Sequence, residues 1–320
     1  MTLSRRAALG LIAGASALPH IAGAASARPG VVATTGMIAD TARRIGGDLI
    51  NVRALMGPGV DPHSYRQTRS DIVALTRADL ILRHGLYLEA QLEELFARMA
   101  KRSTLVAVGE ATPAELLIAH PDYDNKFDPH VWMVPALWAH ASRAIRDALT
   151  ALLPDEAETI AARAEEFLTD IARLDAYALE TLTSVPEPAR VLLTAHDAFG
   201  YFGRAYGFEV IGIQGISTES EAGLNRISEL VEMLASRKIS AVFVESSVSD
   251  RNTRALIEGA AARDHEVRIG GELYSDAMGA EGSYEGTYIG MIDHNVTTIA
   301  AALGGTVPSR GMNGRLAQAS

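Results

Sequence analysis

Short apolar runs alternate with stretches of helical periodicity along most of the chain. "GVVATT" (30–35), "INVRALM" (50–56), "DLILRHG" (79–85) and "TLVAVGE" (104–110) are β-rich runs set among turn-forming residues, and they predict strands. Between them, "MIADTARRIGG", "SDIVALTRA" and "LEAQLEELFARMA" predict helices, with apolar positions at spacings of three and four. From residue 190 the alternation resumes. "RVLLTAHD", "EVIGIQG", "AVFVESS" and "VRIGGE" predict strands, while "FGYFGRAYG", "LNRISELVEMLASRK", "DRNTRALIEGAAA" and "TYIGMIDHNVTTIAAAL" predict helices. Such alternation points to parallel βαβ units. The expected fold class is α/β, with two lobes that each hold a mostly parallel sheet flanked by helices.

The two halves are separated by a different pattern. Ile160, Ala164, Phe167, Ile171, Leu174, Ala178 and Leu182 form one apolar stripe from 155 to 183, begun after Pro154 and stopped by "VPEP" at 185–188. A single stripe without sustained heptads predicts a strut within the protein rather than a coiled-coil partner. The expected division is a first lobe over 28–153, a linking helix over 154–185 and a second lobe over 186–320. The closing "RGMNGRLAQAS" is expected to fray.

Residues 1–27 read as a secretory signal peptide, with Arg5 and Arg6, an apolar stretch from Ala7 to Leu18, and small residues ending Ala25-Ser26-Ala27. The apolar run is too short to span a bilayer, which takes about 20 residues. Ser4-Arg5-Arg6 also resembles the start of a twin-arginine signal without its fuller motif, so either export route fits. The 320 residues contain 39 acids, 29 bases and no cysteine, for a formal charge of −10. Cleavage after Ala27 removes two arginines and no acid, taking the charge to −12. That balance argues against a nucleic-acid partner, which needs a basic face. Without cysteine there is neither a disulfide nor a lipobox, so the expectation is a periplasmic protein, monomeric and not inserted in a membrane. A metal site would have to use His, Asp, Glu or backbone oxygen.

The tripeptide Asp-Pro-His occurs twice, from Asp61 and from Asp128. In open parallel sheets ligands sit beyond the carboxyl ends of strands. Polar residues predicted there are His63 and His84 in the first lobe, and His196, Glu245 and Asp276 in the second; His130 opens the segment leading into the helix from Pro135. Three imidazoles (His63, His130, His196) and the Asp276 carboxylate, facing across a cleft, suit a divalent transition metal. Glu245 either orients a ligand histidine or serves the next helix, by capping it or pairing with Arg251. His84 is either a supporting residue or an ordinary strand-end histidine. Trp132 and Tyr65 are expected to wall the site, and His120, His140, His265 and His294 to be surface or helix residues.

"GVDPHSY", "DPHVWM", "TAHDAFGYF", "GISTESEAG", "VFVESSV" and "GELYSDAMG", in that order between Gly30 and Gly304, resemble the solute-binding receptors of manganese and zinc ABC importers. This is the cluster A-I type, with TroA-like and ZnuA-like members. The resemblance implies two lobes on one long helix, a metal ligated by His63, His130, His196 and Asp276, and delivery of Zn²⁺ or Mn²⁺ to an ABC permease and its ATPase. Histidine at 196, where many manganese-type receptors have glutamate, is similar to the TroA-like branch. The segment before His130 lacks the long His- and acid-rich loop of many zinc-type receptors. The alternatives from other classes are a metal-dependent hydrolase, with Glu245 as its base, and an adhesin-like surface role reported for some relatives.

Overall fold

Strand β1 (Gly30–Ala33) lies between β2 (Asn51–Ala54) and β3 (Leu80–Arg83), with β4 (Leu105–Ala107) outside β3, and all four are parallel. The computed structural model that shows this describes residues 28–121 and 123–317, so the signal peptide expected over 1–27 lies outside the described residues. Central β1 and β3 are covered on both faces and read as near-continuous apolar runs. On the edge, β2 alternates exposed Asn51 and Arg53 with half-buried Val52 and Ala54. Val31, Ala33, Leu80 and Leu82 face a core shared with α1 (Gly36–Gly46), α4 (Pro135–Leu152) and α5 (Ala157–Thr183). Val32 and Ile81 point the other way, onto Leu75 of α2 (Arg69–Arg77) and Phe96 of α3 (Glu93–Met99).

The second lobe repeats the scheme. β5 (Val191–Thr194) pairs in parallel with β6 (Glu209–Gly212), and β7 (Ala241–Glu245) with β8 (Arg268–Leu273), while β5 runs beside β7. Helix α6 (Gly200–Tyr206) follows β5 and packs through Tyr201 and Phe202 on the same core as α9 (Tyr288–Ala302). The other face is closed by α7 (Leu224–Arg237) and α8 (Arg251–Ala261), around Leu230, Leu234 and Leu256.

Helix α5 begins after a 3₁₀ turn over Pro154–Glu156 and runs 27 residues, about 40 Å at 1.5 Å per residue. All seven residues of the expected stripe are buried, and the helix packs on α1 and α4 of the first lobe and on α9 of the second. Among the described residues no helix is long and apolar enough to cross a membrane.

Two expectations need correction. The helix expected from Leu88 splits into a 3₁₀ turn (Ala90–Leu92) followed by α3, because Leu86 and Tyr87 hold left-handed backbone (φ +52° and +69°) and the Glu89 side chain folds back onto the N–H groups of His84 and Gly85, just past β3. The tail is tied down as far as 317. Buried Asp293 accepts the Met312 N–H (2.8 Å), Asn313 donates to the Tyr284 hydroxyl (2.9 Å), and Leu316 is buried.

Candidate metal site

Both Asp-Pro-His segments fold the same way. The Asp61 carboxylate accepts the His63 N–H (2.9 Å), and the Asp128 carboxylate accepts the His130 N–H (2.9 Å). An aspartate that bonds the N–H two residues on makes a tight local turn, and the intervening proline has no N–H to compete. Each repeat is therefore a small device for holding one imidazole. Asp128 also accepts from His130 Nδ1 (2.7 Å), whereas Asp61 accepts from Thr218 Oγ1 of the second lobe (2.6 Å).

His196 sits just past β5, where Glu245 at the end of β7 takes both its N–H (2.9 Å) and its Nδ1–H (2.5 Å). Asp276 follows β8. The structure thus brings His63, His130, His196 and Asp276 together, all buried, with one ligand-capable atom of each lying within 4.8 Å of the others. His130 Nε2 is 3.3 Å from His63 Nε2 and 3.4 Å from His196 Nε2. Asp276 Oδ1 is 3.3 Å from His130 Nε2, and its Oδ2 is 3.2 Å from His196 Nε2 and 3.8 Å from His63 Nε2. A tetrahedral ion with bonds of about 2.0–2.1 Å sets donor–donor edges of about 3.3–3.4 Å, which the edges at His130 and the His196–Asp276 edge match, while the His63–Asp276 edge is wider at 3.8 Å.

Neither Asp276 oxygen has an aligned hydrogen-bond donor although both are fully buried. A buried carboxylate is costly unless a cation faces it; here the imidazoles of His130 and His196 face it at 3.3 and 3.2 Å, and a metal ion would take the place of their protons. Protonation follows from the same arrangement. Burial alone would push His130 and His196 toward neutrality, but Asp128 with Asp276, and Asp276 with Glu245, outweigh it. They raise His130 to about 9 and hold His196 well above the ordinary histidine range. Burial pushes His63 down to about 4. Burial would raise Asp276, yet the surrounding imidazoles keep it well below the usual carboxylate range.

The Glu245 carboxylate contacts His196 through both oxygens, and no bond from it to Arg251 or to the next helix is seen among the described residues. With both oxygens occupied by His196 it is not free to act as a hydrolase's base. The Trp132 ring lies 5.1 Å from that of His130, and its Nε1–H donates to the Ser275 carbonyl across the cleft (2.8 Å). His84 is no neighbour of the four donor atoms. It lies behind Trp132, edge-on at 4.8 Å, and its Nε2 contacts the Pro129 carbonyl at 2.7 Å. Burial pushes it down to about 3, so it is neutral and Nε2–H donates. Tyr65 departs from expectation. It packs on the α2–α3 side of the sheet, and its hydroxyl donates to Asp71 (2.7 Å), which caps α2. His120 is half-exposed and lines a hollow of about 310 Å³ that also reaches His63, Tyr87, Gln91, Tyr123 and Glu219. A larger hollow of about 870 Å³ beside β6 is lined by none of the four. His265 and His294 bond the carbonyls of Ile239 and Glu272, away from the site.

Sequence reasoning missed Asp61 and Asp128, although the repeated tripeptide contained both. It also missed Thr218, inside "GISTESEAG", for which no local signal existed.

The profile of zinc-uptake complex component A, periplasmic, matches residues 31–302. The zinc-binding protein TroA of Treponema pallidum is 46% identical over 280 residues, which cover 88% of this chain and 90% of that protein. The manganese-binding lipoprotein MntA of Bacillus subtilis is also 46% identical, over 274 residues covering 85% of this chain and 89% of MntA. The solved structure of the Treponema zinc-binding protein superposes with a TM-score of 0.85 over 87% of this chain and 99% of its own. With the site geometry, these likenesses show that the chain belongs to the zinc-uptake component A family, the solute-binding receptors of metal ABC importers, and is a receptor rather than an enzyme.

Proposed function

We propose that this receptor captures one divalent ion, Zn²⁺ or Mn²⁺, through His63, His130, His196 and Asp276, and gives it up to an ABC permease driven by its ATPase. The observation that carries the reading is the buried Asp276 carboxylate, with no aligned donor, set 3.2–3.8 Å from three imidazole Nε2 atoms. The first lobe spans 28–153, the linking helix 154–185 and the second lobe 186–320, so the ion sits where ligands from both lobes meet. Residues 1–27 direct export and are removed, and the protein works in the periplasm as a monomer. Having no cysteine, it is not held to a membrane by lipid as MntA is by name.

Metal preference rests on His196. A third imidazole is a softer donor than a carboxylate and favours Zn²⁺, as does the Irving–Williams order, while a bidentate Asp276 would make Mn²⁺ tolerable. The equal identity to a zinc-binding and a manganese-binding relative leaves this to experiment. Metal-free protein would be offered equimolar Zn²⁺ and Mn²⁺, with bound metal quantified by mass spectrometry. Wild type should take zinc, and His196→Glu should move toward manganese. If wild type takes neither ion, or the substitution changes nothing, the four-ligand site is wrong.

A further inference from the structure

Glu89 is an acidic side chain buried deep in the first lobe, outside the four-residue cluster. Its Oε1 accepts Thr34 Oγ1–H (2.6 Å) and the His84 N–H (2.7 Å), and its Oε2 accepts the Gly85 N–H (3.1 Å). The segment it grips is unusual. Gly85, Leu86 and Tyr87 all hold positive φ, at +81°, +52° and +69°. Leucine and tyrosine enter that region only where their surroundings dictate it, and such constraint gathers at functional sites. Beyond the carboxylate the contacts lead to the cluster. His84 donates from Nε2 to the Pro129 carbonyl (2.7 Å), and Pro129 stands between Asp128 and His130. The His84 ring is held by Trp132, edge-on at 4.8 Å, and by Trp138, stacked at 6.4 Å. Gly109 closes the remaining side so tightly that a Cβ there would lie 2.6 Å from His84 Nε2.

We infer that Glu89 is a positioning residue of the metal site, holding the left-handed turn after β3 so that His84 fixes the Pro129 carbonyl and with it the aim of His130. The inference rests on the reading of His130 as a ligand. Outer partners of metal ligands change affinity by about 10–100-fold when lost, and this chain of contacts acts one step further out, through backbone.

The test is Zn²⁺ affinity at pH 7, by competition with a chelator, measured beside the thermal midpoint of the metal-free protein. Glu89→Gln keeps the shape but turns one acceptor into a donor facing N–H or O–H. It should weaken Zn²⁺ binding by about 10-fold or more. His84→Leu should do the same, whereas His84→Gln, whose amide N–H can still reach the carbonyl, should bind close to wild type. The Glu89→Gln/His84→Leu double variant should bind no more weakly than the worse single variant, because one route is being cut twice. Leu234→Ala, in the core of the second lobe, should lower the thermal midpoint without changing affinity, which separates positioning from general stability. Should Glu89→Gln fail to fold, Gly109→Ala displaces the same ring with Glu89 intact and should weaken binding alike. Wild-type affinity in the folded Glu89 variant (or, in its place, in Gly109→Ala), or additive losses in the double variant, would overturn the inference alone. Wild type that binds no Zn²⁺ would overturn both it and the proposed function.

Discussion

Loading the site at neutral pH must expel protons, and the structure sets how many. In metal-free protein His130 stays protonated up to about pH 9, and His196 stays so well above the ordinary histidine value. Burial opposes both charges, but Asp128, Glu245 and Asp276 outweigh it. His63 behaves oppositely, because burial holds its pKa near 4 and leaves it neutral at pH 7. An ion bound through three imidazole nitrogens at pH 7 therefore displaces two protons, one each from His130 and His196, and none from His63. Protons and metal compete for the same lone pairs, so affinity falls as pH falls. With two protons displaced, the loss is about 100-fold, or roughly 2.7 kcal/mol, per pH unit for as long as both imidazoles are protonated in the metal-free form. Below about pH 4 His63 adds a third competing proton. The assay is calorimetric titration with Zn²⁺ at pH 7 in buffers of different ionisation enthalpy, where the slope of apparent against buffer enthalpy counts protons. A count near zero at pH 7, or binding that tightens in acid, would refute the charge balance drawn from these carboxylates.

Three further perturbations follow from the geometry. In Glu245→Gln the amide must point a donor at either the His196 N–H or its Nδ1; the second choice moves the ring proton to Nε2 and blocks the lone pair, so chelator competition should show Zn²⁺ affinity down about 10–100-fold. An unchanged constant would mean that Glu245 does not set the tautomer. Thr218→Ala removes the bond to Asp61 between the lobes and should speed metal dissociation about fivefold, the worth of about 1 kcal/mol, in stopped-flow chelation; an unchanged rate would show that this bond does not hold the cleft shut. Phe167→Ala empties a fully buried position of α5 and should cost about 3–5 kcal/mol in denaturant unfolding, while a loss under about 1 kcal/mol would mean that the stripe does not anchor the core.

The strands, helices and strut were legible because burial imposes a period. Ile160 through Leu182 recur at helical spacing since one face of α5 must meet α1, α4 and α9, and Val31 with Val32 read as a run since β1 is covered on both sides. The proposed ligands drew attention for a different reason, as strand ends in parallel sheets are where a cleft forms and the chemistry of three histidines and one aspartate narrows what could fill it. What stayed hidden depends on contacts far apart in sequence. Thr218 reaches Asp61 across 157 positions, and no local pattern records that. Glu89 looked like one more acid on an amphipathic helix, because its burial follows from the left-handed turn before it, which no residue type there except Gly85 announces. Tyr65 follows a ligand loop in the chain, yet it turns to Asp71, whose cap on α2 lies on the opposite side of the sheet.

The ties between lobes fall on the ligand loops themselves, and this bears on how a buried ion leaves. Trp132, two residues past His130, donates to the carbonyl of Ser275, one residue before Asp276. Tyr201 of α6 donates to the Asp128 carbonyl at 2.8 Å, and Tyr288 at the start of α9 donates to that of Trp132 at 2.9 Å. Separating the lobes would thus break the bonds that hold His130 and Asp276 in register, so opening and loss of affinity are one event rather than two. The 27-residue helix packed on both lobes opposes a wide hinge, which makes a small displacement at these loops the economical way to open. A small shift is enough, because the His130–His196, His130–Asp276 and His196–Asp276 edges of 3.2–3.4 Å stop matching a single ion once they lengthen by about 1 Å.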